Sequence, residues 1–261
     1  MTDTDDLLYE LRGTTGWATL NRPKARNALT YAMYEGLAEI CANVPDDGSV
    51  KAIVITGADE KAFAAGTDMK QFRDFSEPQD AIDYEAKMSR VFEAIETCRV
   101  PTIAAISGAC TGGGAAIAAL CDIRIGTADM KFGYPIARTL GNTLAVGNLA
   151  RTAALIGPGR LKELIFTARL AGAEECREIG FLTEIVPDHA ALIARVNDLC
   201  ETLASHAPLT LWTIKEALRR LRDDGPGADD EDLIVKAYMS EDFKEGMEAF
   251  LAKRKPEWKG R

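Results

Sequence analysis

The 261-residue sequence predicts an α/β fold with a largely helical C-terminal half. Two observations carry that reading. A short apolar run at residues 51–56 (KAIVIT), a glycine loop and a helix recur as residues 102–107 (TIAAIS), a glycine loop and a helix. Apolar runs of this length, bounded by turn residues, suit strands covered on both faces, and parallel pairing of such strands requires crossover connections. Right-handed crossovers bring the loops after the strands to one edge of the sheet, where ligands bind. The second observation is that beyond Pro135 the apolar spacing is mostly helical.

Taken in order, residues 7–12 and 16–21 read as two short strands joined by a turn containing Gly13 and Gly16, and Asn21-Arg22-Pro23 ends the second. Thr30 is placed as the N-cap of a helix with Met33, Leu37 and Ile40 on one face. After the strand at 51–56, a loop runs through Gly57, Asp59 and Gly66. Residues 81–97 form a helix by periodicity, with Ile82, Met88, Val91, Phe92 and Ile95 among its apolar positions. Pro101 introduces the strand at 102–107, a glycine turn leads into a small-residue helix at 113–120, and 122–127 is a further strand. Helices follow at 143–155, 159–166, 173–179, 189–205, 208–222 and 229–254, interrupted by a strand at 182–186. Gly225-Pro226-Gly227 reads as a turn between helices. The chain divides into a core at 1–200 and a helical region at 201–261.

Composition excludes several function classes. With a net charge of −9, the surface as a whole is not built for nucleic acid or an anionic membrane, although one local basic patch for a phosphate-bearing ligand is compatible with it. Residues 1–10 are acidic and polar, without the basic and apolar segments of a secretory signal. The apolar stretch at 103–120 is interrupted by Ser107, Thr111 and glycines, too short and broken for a membrane span. A cytoplasmic protein is expected. The six cysteines (Cys41, Cys98, Cys110, Cys121, Cys176 and Cys200) form no C-x-x-C pair and lie in or beside apolar segments, as small reduced hydrophobes do. Two histidines, His189 and His206, near probable helix boundaries, read as surface or capping residues and offer little for a metal site.

The two glycine loops are the candidate site. The first reads Lys61-Ala62-Phe63-Ala64-Ala65-Gly66-Thr67-Asp68-Met69-Lys70, and the second Ser107-Gly108-Ala109-Cys110-Thr111-Gly112-Gly113-Gly114-Ala115-Ala116. Each is read as leaving a strand and entering a helix, whose first N–H groups lack internal acceptors and carry the positive end of the helix dipole. Two such starts facing one point can donate two hydrogen bonds to one oxygen, as an oxyanion requires. Neither loop is a nucleotide motif: Gly108 and Gly113 have P-loop spacing, but Gly114-Ala115 replaces the lysine and hydroxyl, and Ile117 stands where a dinucleotide-binding loop needs its third glycine.

Motifs along nearly the whole chain resemble those of the crotonase (enoyl-CoA hydratase/isomerase) superfamily. They are Leu20-Asn21-Arg22-Pro23 with Asn27-Ala28-Leu29; Ala62 to Lys70; Gly112-Gly113-Gly114 with Cys121-Asp122-Ile123-Arg124; Phe132-Gly133-Tyr134-Pro135; and Ser240 to Gly246 with Phe250 to Pro256. The resemblance implies a spiral of ββα units with a helical C-terminal region that builds homotrimers or homohexamers. It implies an acyl-CoA substrate, with coenzyme A as part of that substrate and no permanently bound cofactor. It maps the oxyanion hole onto the backbone N–H groups of Thr67 and Gly113, with Thr67 where the family usually has alanine. It places coenzyme A and substrate along Lys24, Ala25, Arg26, Ala65, Gly66, Asp68, Met69, Lys70, Thr111, Gly112, Ala116, Pro135 and Ile136.

The family's catalytic pattern is where the chain departs. The two positions that hold glutamates in the hydratases map onto Ala116 and Ile136, and no Asp or Glu occurs between Lys131 and Gly157. The segment 135–141 is also one residue longer than usual. Arg138, Tyr238, Thr111 and Tyr134 are the candidates for replacement chemistry, with Asp68 placed as a helix cap and Asp122 as structural. The resulting expectation is a lyase or isomerase acting on an acyl-CoA thioester through its enolate. The alternative is a catalytically silent acyl-CoA-binding protein, which the absent glutamates also fit.

Overall fold

The computed structural model describes residues 5–261. The chain opens with an antiparallel hairpin, β1 (Leu7–Arg12) and β2 (Thr15–Leu20), followed by α1 (Tyr31–Ala42). Thr30 caps α1 as the sequence suggests, its side chain accepting a hydrogen bond from the Met33 N–H. Three strand–strand–helix units follow: β3 (Ala52–Gly57), β4 (Ala62–Ala64) and α2 (Pro78–Glu96); β5 (Thr102–Ile106), β6 (Ala109–Thr111) and α3 (Gly113–Leu120); β7 (Ile123–Thr127), β8 (Lys131–Gly133) and α4 (Ile136–Thr139). Beyond them lie α5 (Val146–Ile156), α6 (Pro158–Thr167), β9 (Ala171–Gly172), α7 (Ala173–Glu178), β10 (Glu184–Val186), α8 (His189–Ala204), α9 (Pro208–Asp224), α10 (Glu231–Tyr238) and α11 (Glu241–Ala252).

Each repeat places its first strand in a six-stranded sheet, ordered β1-β2-β3-β5-β7-β10, and its second in a four-stranded sheet, ordered β4-β6-β8-β9. Within the larger sheet every pairing after the hairpin is parallel. The chain therefore winds between two sheets as a spiral, and equivalent turns of successive repeats stack beside one another.

Both faces of the larger sheet are covered, which is why its central strands are continuously apolar rather than alternating. Ile53 and Ile55 join the main core with Leu37 of α1, Phe92 of α2 and Ile117 of α3. Their neighbours Ala52 and Val54 point to the other face and pack with Leu192, Val196 and Leu203 of α8. Buried polar groups fix the frame. The Asp122 carboxylate accepts from the Thr102 N–H at 2.7 Å and from Lys215 Nζ at 2.9 Å, tying α9 to the strand edge. Arg124, 5% exposed, donates to the carbonyl oxygens of Phe181 at 2.6 Å and Cys121. The structural role read for Asp122 is thus filled by named partners. All six cysteines are buried and free.

Two features differ from what the periodicity of the sequence gives. The four-stranded sheet is invisible to periodicity, because β4, β6 and β8 are three residues each, too short to show a period; only the ββα units implied by the resemblance provide for it. The helix expected over 229–254 is two helices, broken at Met239-Ser240, where the Ser240 hydroxyl accepts from the Phe243 N–H at 2.9 Å and starts α11. The boundary at 200/201 falls inside α8, as it does inside the helix expected at 189–205, so the first whole helix after it is α9. Among the described residues no helix is long and apolar enough to cross a membrane.

Candidate active site

The ends of β4 and β6 converge on a cavity of about 490 Å³. Of the residues that sequence reasoning marks, Ala65, Gly66, Thr67, Met69, Thr111, Gly112, Gly113, Ala116, Pro135 and Ile136 line it. Its remaining wall comes from α1, α2 and the segment between α4 and α5, through Tyr34, Tyr84, Glu85, Met88 and Leu144 among others.

Parallel pairing of β4 with β6 sets the two loops side by side. Gly66 has φ +113°, and a Cβ there would lie 4.0 Å from the Gly113 nitrogen, a measure of how closely the loops approach. At Gly113 a Cβ would collide with the Tyr34 hydroxyl and meet Thr67 Oγ1 at 3.1 Å. Glycine is therefore required at the start of α3 for steric reasons, independently of its flexibility. Leu29 and Thr67 form an isolated parallel bridge, in which the Leu29 N–H donates to Gly66 O and the Asp68 N–H to Leu29 O, both at 2.8 Å. This pattern leaves the N–H of Thr67 itself without an acceptor among the described residues. The Gly113 N–H, at the first position of α3, likewise has none, although its neighbour Gly112 donates to Gly133 O at 3.0 Å. Two unengaged donors thus border one cavity. The first loop is not an α-helix start as expected: a single 3-10 turn, Met69–Phe72, follows it.

The Thr67 side chain is engaged elsewhere. Its hydroxyl is 2.9 Å from Tyr34 Oη and 3.5 Å from Tyr84 Oη. Burial raises the pKa of both phenols, that of Tyr84 to about 12, so both are neutral donors at physiological pH. The threonine in place of the family's alanine therefore belongs to a small hydroxyl cluster and leaves its backbone N–H free.

The segment that the resemblance assigns to coenzyme A runs beside the first loop. Lys24 and Ala25 lie in a 3-10 turn, Pro23–Ala25, and Arg26 caps it; all three are exposed. The Ala65 N–H donates to Arg26 O at 3.0 Å, which ties this turn to Ala65 of the cavity lining; Lys24, Ala25, Arg26, Asp68 and Lys70 do not themselves line the cavity, and Lys70 is exposed. Asp68 caps the 3-10 turn, accepting from the Lys70 N–H at 3.0 Å, and pairs with Arg22 at 2.9 Å. Those partners, the backbone N–H first, lower its pKa and keep it ionised. The capping role read from the sequence is the one it fills.

Three candidates lie away from the cavity. Arg138 is exposed on α4, whose inward positions are Ile136 and Thr139. Tyr134 is fully buried in the core, its hydroxyl 2.9 Å from Thr152 Oγ1. Tyr238, 56% exposed, borders a separate apolar groove between α9, α10 and α11 and packs against Phe243. His189, read as a surface or capping residue, begins α8, where its Nδ1 is 2.9 Å from the buried Ser107 hydroxyl.

Sequence reasoning marks none of the residues that α1 and α2 contribute to the lining as site residues, and one of these is charged. Glu85 of α2 is half-buried in the lining, and burial raises its carboxyl pKa. A signal for it was present: Glu85 stands three and seven residues before Met88 and Phe92, on the apolar stripe of α2, where a charge is out of place.

A spiral of ββα repeats spread over two sheets, with its loop ends gathered round one cavity, is the architecture of the crotonase superfamily. The chain belongs to the enoyl-CoA hydratase/isomerase family, whose model matches residues 13–261. It is 32% identical over 256 residues to a short-chain-enoyl-CoA hydratase of Clostridium acetobutylicum, covering 97% of each chain. A crotonyl-CoA hydratase of Syntrophomonas wolfei is 34% identical over 239 residues, 90% of this chain and 91% of the other. Among solved structures, an enoyl-CoA hydratase/carnithine racemase from Magnetospirillum magneticum superposes with a TM-score of 0.89 at 32% identity, covering 99% of this chain and 97% of that one.

Proposed function

We propose that the protein is an acyl-CoA enzyme of the hydratase/isomerase type whose Thr67 and Gly113 N–H groups hold the thioester carbonyl oxygen and stabilise the enolate formed from it. The observation that carries this reading is the pair of N–H donors without acceptors at the edge of one cavity. As carbon α becomes nucleophilic, negative charge collects on the thioester oxygen. Fixed donors already aimed at that oxygen stabilise the charge with no reorganisation.

Coenzyme A lies along Lys24, Ala25, Arg26 and the loop from Ala65 to Lys70 in this reading, with Lys24, Arg26 and Lys70 meeting its phosphates. Their exposure, with the 23–26 turn hydrogen-bonded to Ala65 of the lining, supports that placement. The acyl chain occupies the interior against Met88, Ala116, Ile136 and Leu144. Coenzyme A enters and leaves as part of the substrate, and no resident cofactor is invoked.

The reading includes a homotrimer or homohexamer built through the helical region from 201 to 261. Ile234, Phe243, Met247 and Phe250 are each 46% or more exposed on α10 and α11, an apolar surface larger than scattered single residues would make. Buried, unpaired thiols fit a reducing, cytoplasmic setting.

The test is a panel of enoyl-CoA thioesters, with affinity measured by calorimetry and products by mass spectrometry, and sedimentation of the same samples. The expected outcome is acyl-CoA binding well above that of free coenzyme A, a hydrated or double-bond-shifted product, and no major monomer. A folded protein that binds no acyl-CoA defeats the substrate assignment, and binding without any product defeats the enzymatic one.

A further inference from the structure

We propose that Glu85 is the catalytic carboxylate of this cavity, taking a proton from carbon α of the bound acyl thioester and returning it. This rests on the acyl-thioester reading above and supplies the proton carrier that Ala116 and Ile136 cannot. Among the described residues, Glu85 is the sole charged side chain lining the cavity that also holds Thr67 and Gly113. It has no ion pair or hydrogen bond among those residues. Asp68, the nearest carboxylate in sequence to the donors, is by contrast occupied by Arg22 and the Lys70 N–H.

The position of Glu85 has no structural explanation. It sits on the inward stripe of α2 with Met88 and Phe92, which are 2% and 3% exposed. A carboxylate set among apolar side chains without a partner destabilises the fold when ionised. Such a cost is characteristic of groups whose reactivity is used. The titratable groups facing it are the phenols of Tyr34 on α1 and Tyr84 beside it on α2. The 3-10 turn after the first loop, α3, α4, α5 and the segment between them contribute no charged side chain to the lining. With no cation to hold its proton off and burial opposing its charge, the carboxyl pKa lies above that of an ordinary glutamate, nearer the operating pH.

The step balances within the site. The Cα–H bond breaks and its proton forms an O–H bond on the Glu85 carboxylate. The electron pair left behind forms the enolate double bond, and the carbonyl π pair moves onto the oxygen held by the two N–H groups. Reversal returns the proton to carbon α, or a deuteron once the carboxyl has exchanged with D₂O. In a double-bond shift the same proton returns at carbon γ. One carboxylate therefore suffices for enolisation and isomerisation.

The experiment is exchange of the α-hydrogens of butyryl-CoA in D₂O, followed by mass spectrometry, with affinity for butyryl-CoA measured on the same samples. Wild type should exchange. Glu85→Gln should bind within a few-fold of wild type and exchange roughly 10²–10⁴-fold more slowly, the usual contribution of general acid–base assistance. Glu85→Asp should recover part of the rate, and Glu93→Gln, on the exposed face of the same helix, should leave it unchanged. The wild-type rate should rise with pH through an acid limb above the ordinary glutamate range, and Glu85→Gln should lack that limb. Exchange by folded Glu85→Gln within threefold of wild type overturns the assignment, as does wild-type binding without exchange. No binding by wild type overturns instead the acyl-CoA reading on which it rests. Should Glu85→Gln fail to fold, the Glu85→Asp rate and the position of the wild-type acid limb decide the matter.

Discussion

On the glycine side of the cavity the polar groups left without partners among the described residues belong to the backbone, the N–H groups of Thr67 and Gly113. On the α2 side the polar groups of the lining belong to side chains, Glu85 and Tyr84. The backbone side is built by strand pairing: β4 against β6, Leu29 against Thr67, and a glycine wherever a Cβ would strike a neighbour. The side-chain wall is built by helix packing, and its chemistry depends on which residue a helical stripe turns inward. The first kind of site tolerates a different side chain at Thr67 but neither a Cβ nor a lost N–H at Gly113, and the second kind depends on the side chain itself. In the proposed reading the oxyanion donors stay on the glycine loops, while the acid–base group is Glu85 on α2 and not a residue at position 116 or 136.

The largest expected effect tests the backbone side. Gly113→Pro removes the N–H outright, and turnover should fall by roughly 10²–10³ from loss of the donor alone, as in other oxyanion holes. The Cβ carbon of proline would also displace the Tyr34 hydroxyl, so the variant must first be shown to fold and assemble. A folded Gly113→Pro enzyme with undiminished turnover would remove that donor from the account.

A middle-sized effect separates stability from catalysis at Glu85. Because burial raises its folded-state pKa above the unfolded value, ionising it costs stability. That cost is absent below the unfolded pKa and develops as pH rises through the folded one. Glu85→Gln should therefore raise the Tm at pH 7 and leave it nearly unchanged at low pH, while losing α-proton exchange. Differential scanning calorimetry at both pH values checks this, and a lower Tm at pH 7 would mean that the carboxylate has a stabilising partner.

The smallest effect on activity comes from a side chain on the backbone side. Thr67→Ala restores the family's usual residue and keeps the N–H. Turnover should change less than about tenfold, well short of the loss of a donor. Stability should nonetheless drop, because the Tyr34 hydroxyl, in a residue 1% exposed, loses its partner at 2.9 Å. An unsatisfied buried polar group costs about 1–3 kcal/mol, and the thermal midpoint reads it directly. A catalytic loss as large as that of Gly113→Pro would show that the hydroxyl, and not the peptide N–H, is the donor at position 67.

The asymmetry also explains what the sequence reveals. The larger sheet, its strand order apart, is legible in runs such as KAIVIT because both faces are buried. The two glycine loops are legible as motifs, and the proposed donors within them, Thr67 and Gly113, come from the resemblance. The smaller sheet is not legible in this way, since three residues show no period. The split between α10 and α11 is marked by the Ser240 cap but masked by apolar residues that continue on either side. Glu85 shows in the sequence only as a charge on the apolar stripe of α2; its place in the same cavity as Thr67 and Gly113 exists only after α2 has packed.

The central claim is that the N–H groups of Thr67 and Gly113 polarise a bound thioester carbonyl. Its most direct test is the infrared stretch of that carbonyl in ¹³C-labelled crotonyl-CoA, measured as an isotope-edited difference spectrum, free and bound. Two hydrogen bonds to the oxygen weaken the C=O bond, so binding should move the band to lower frequency, and Gly113→Pro that still binds should reverse most of the shift. A bound carbonyl that absorbs at its free frequency in wild type would contradict the account.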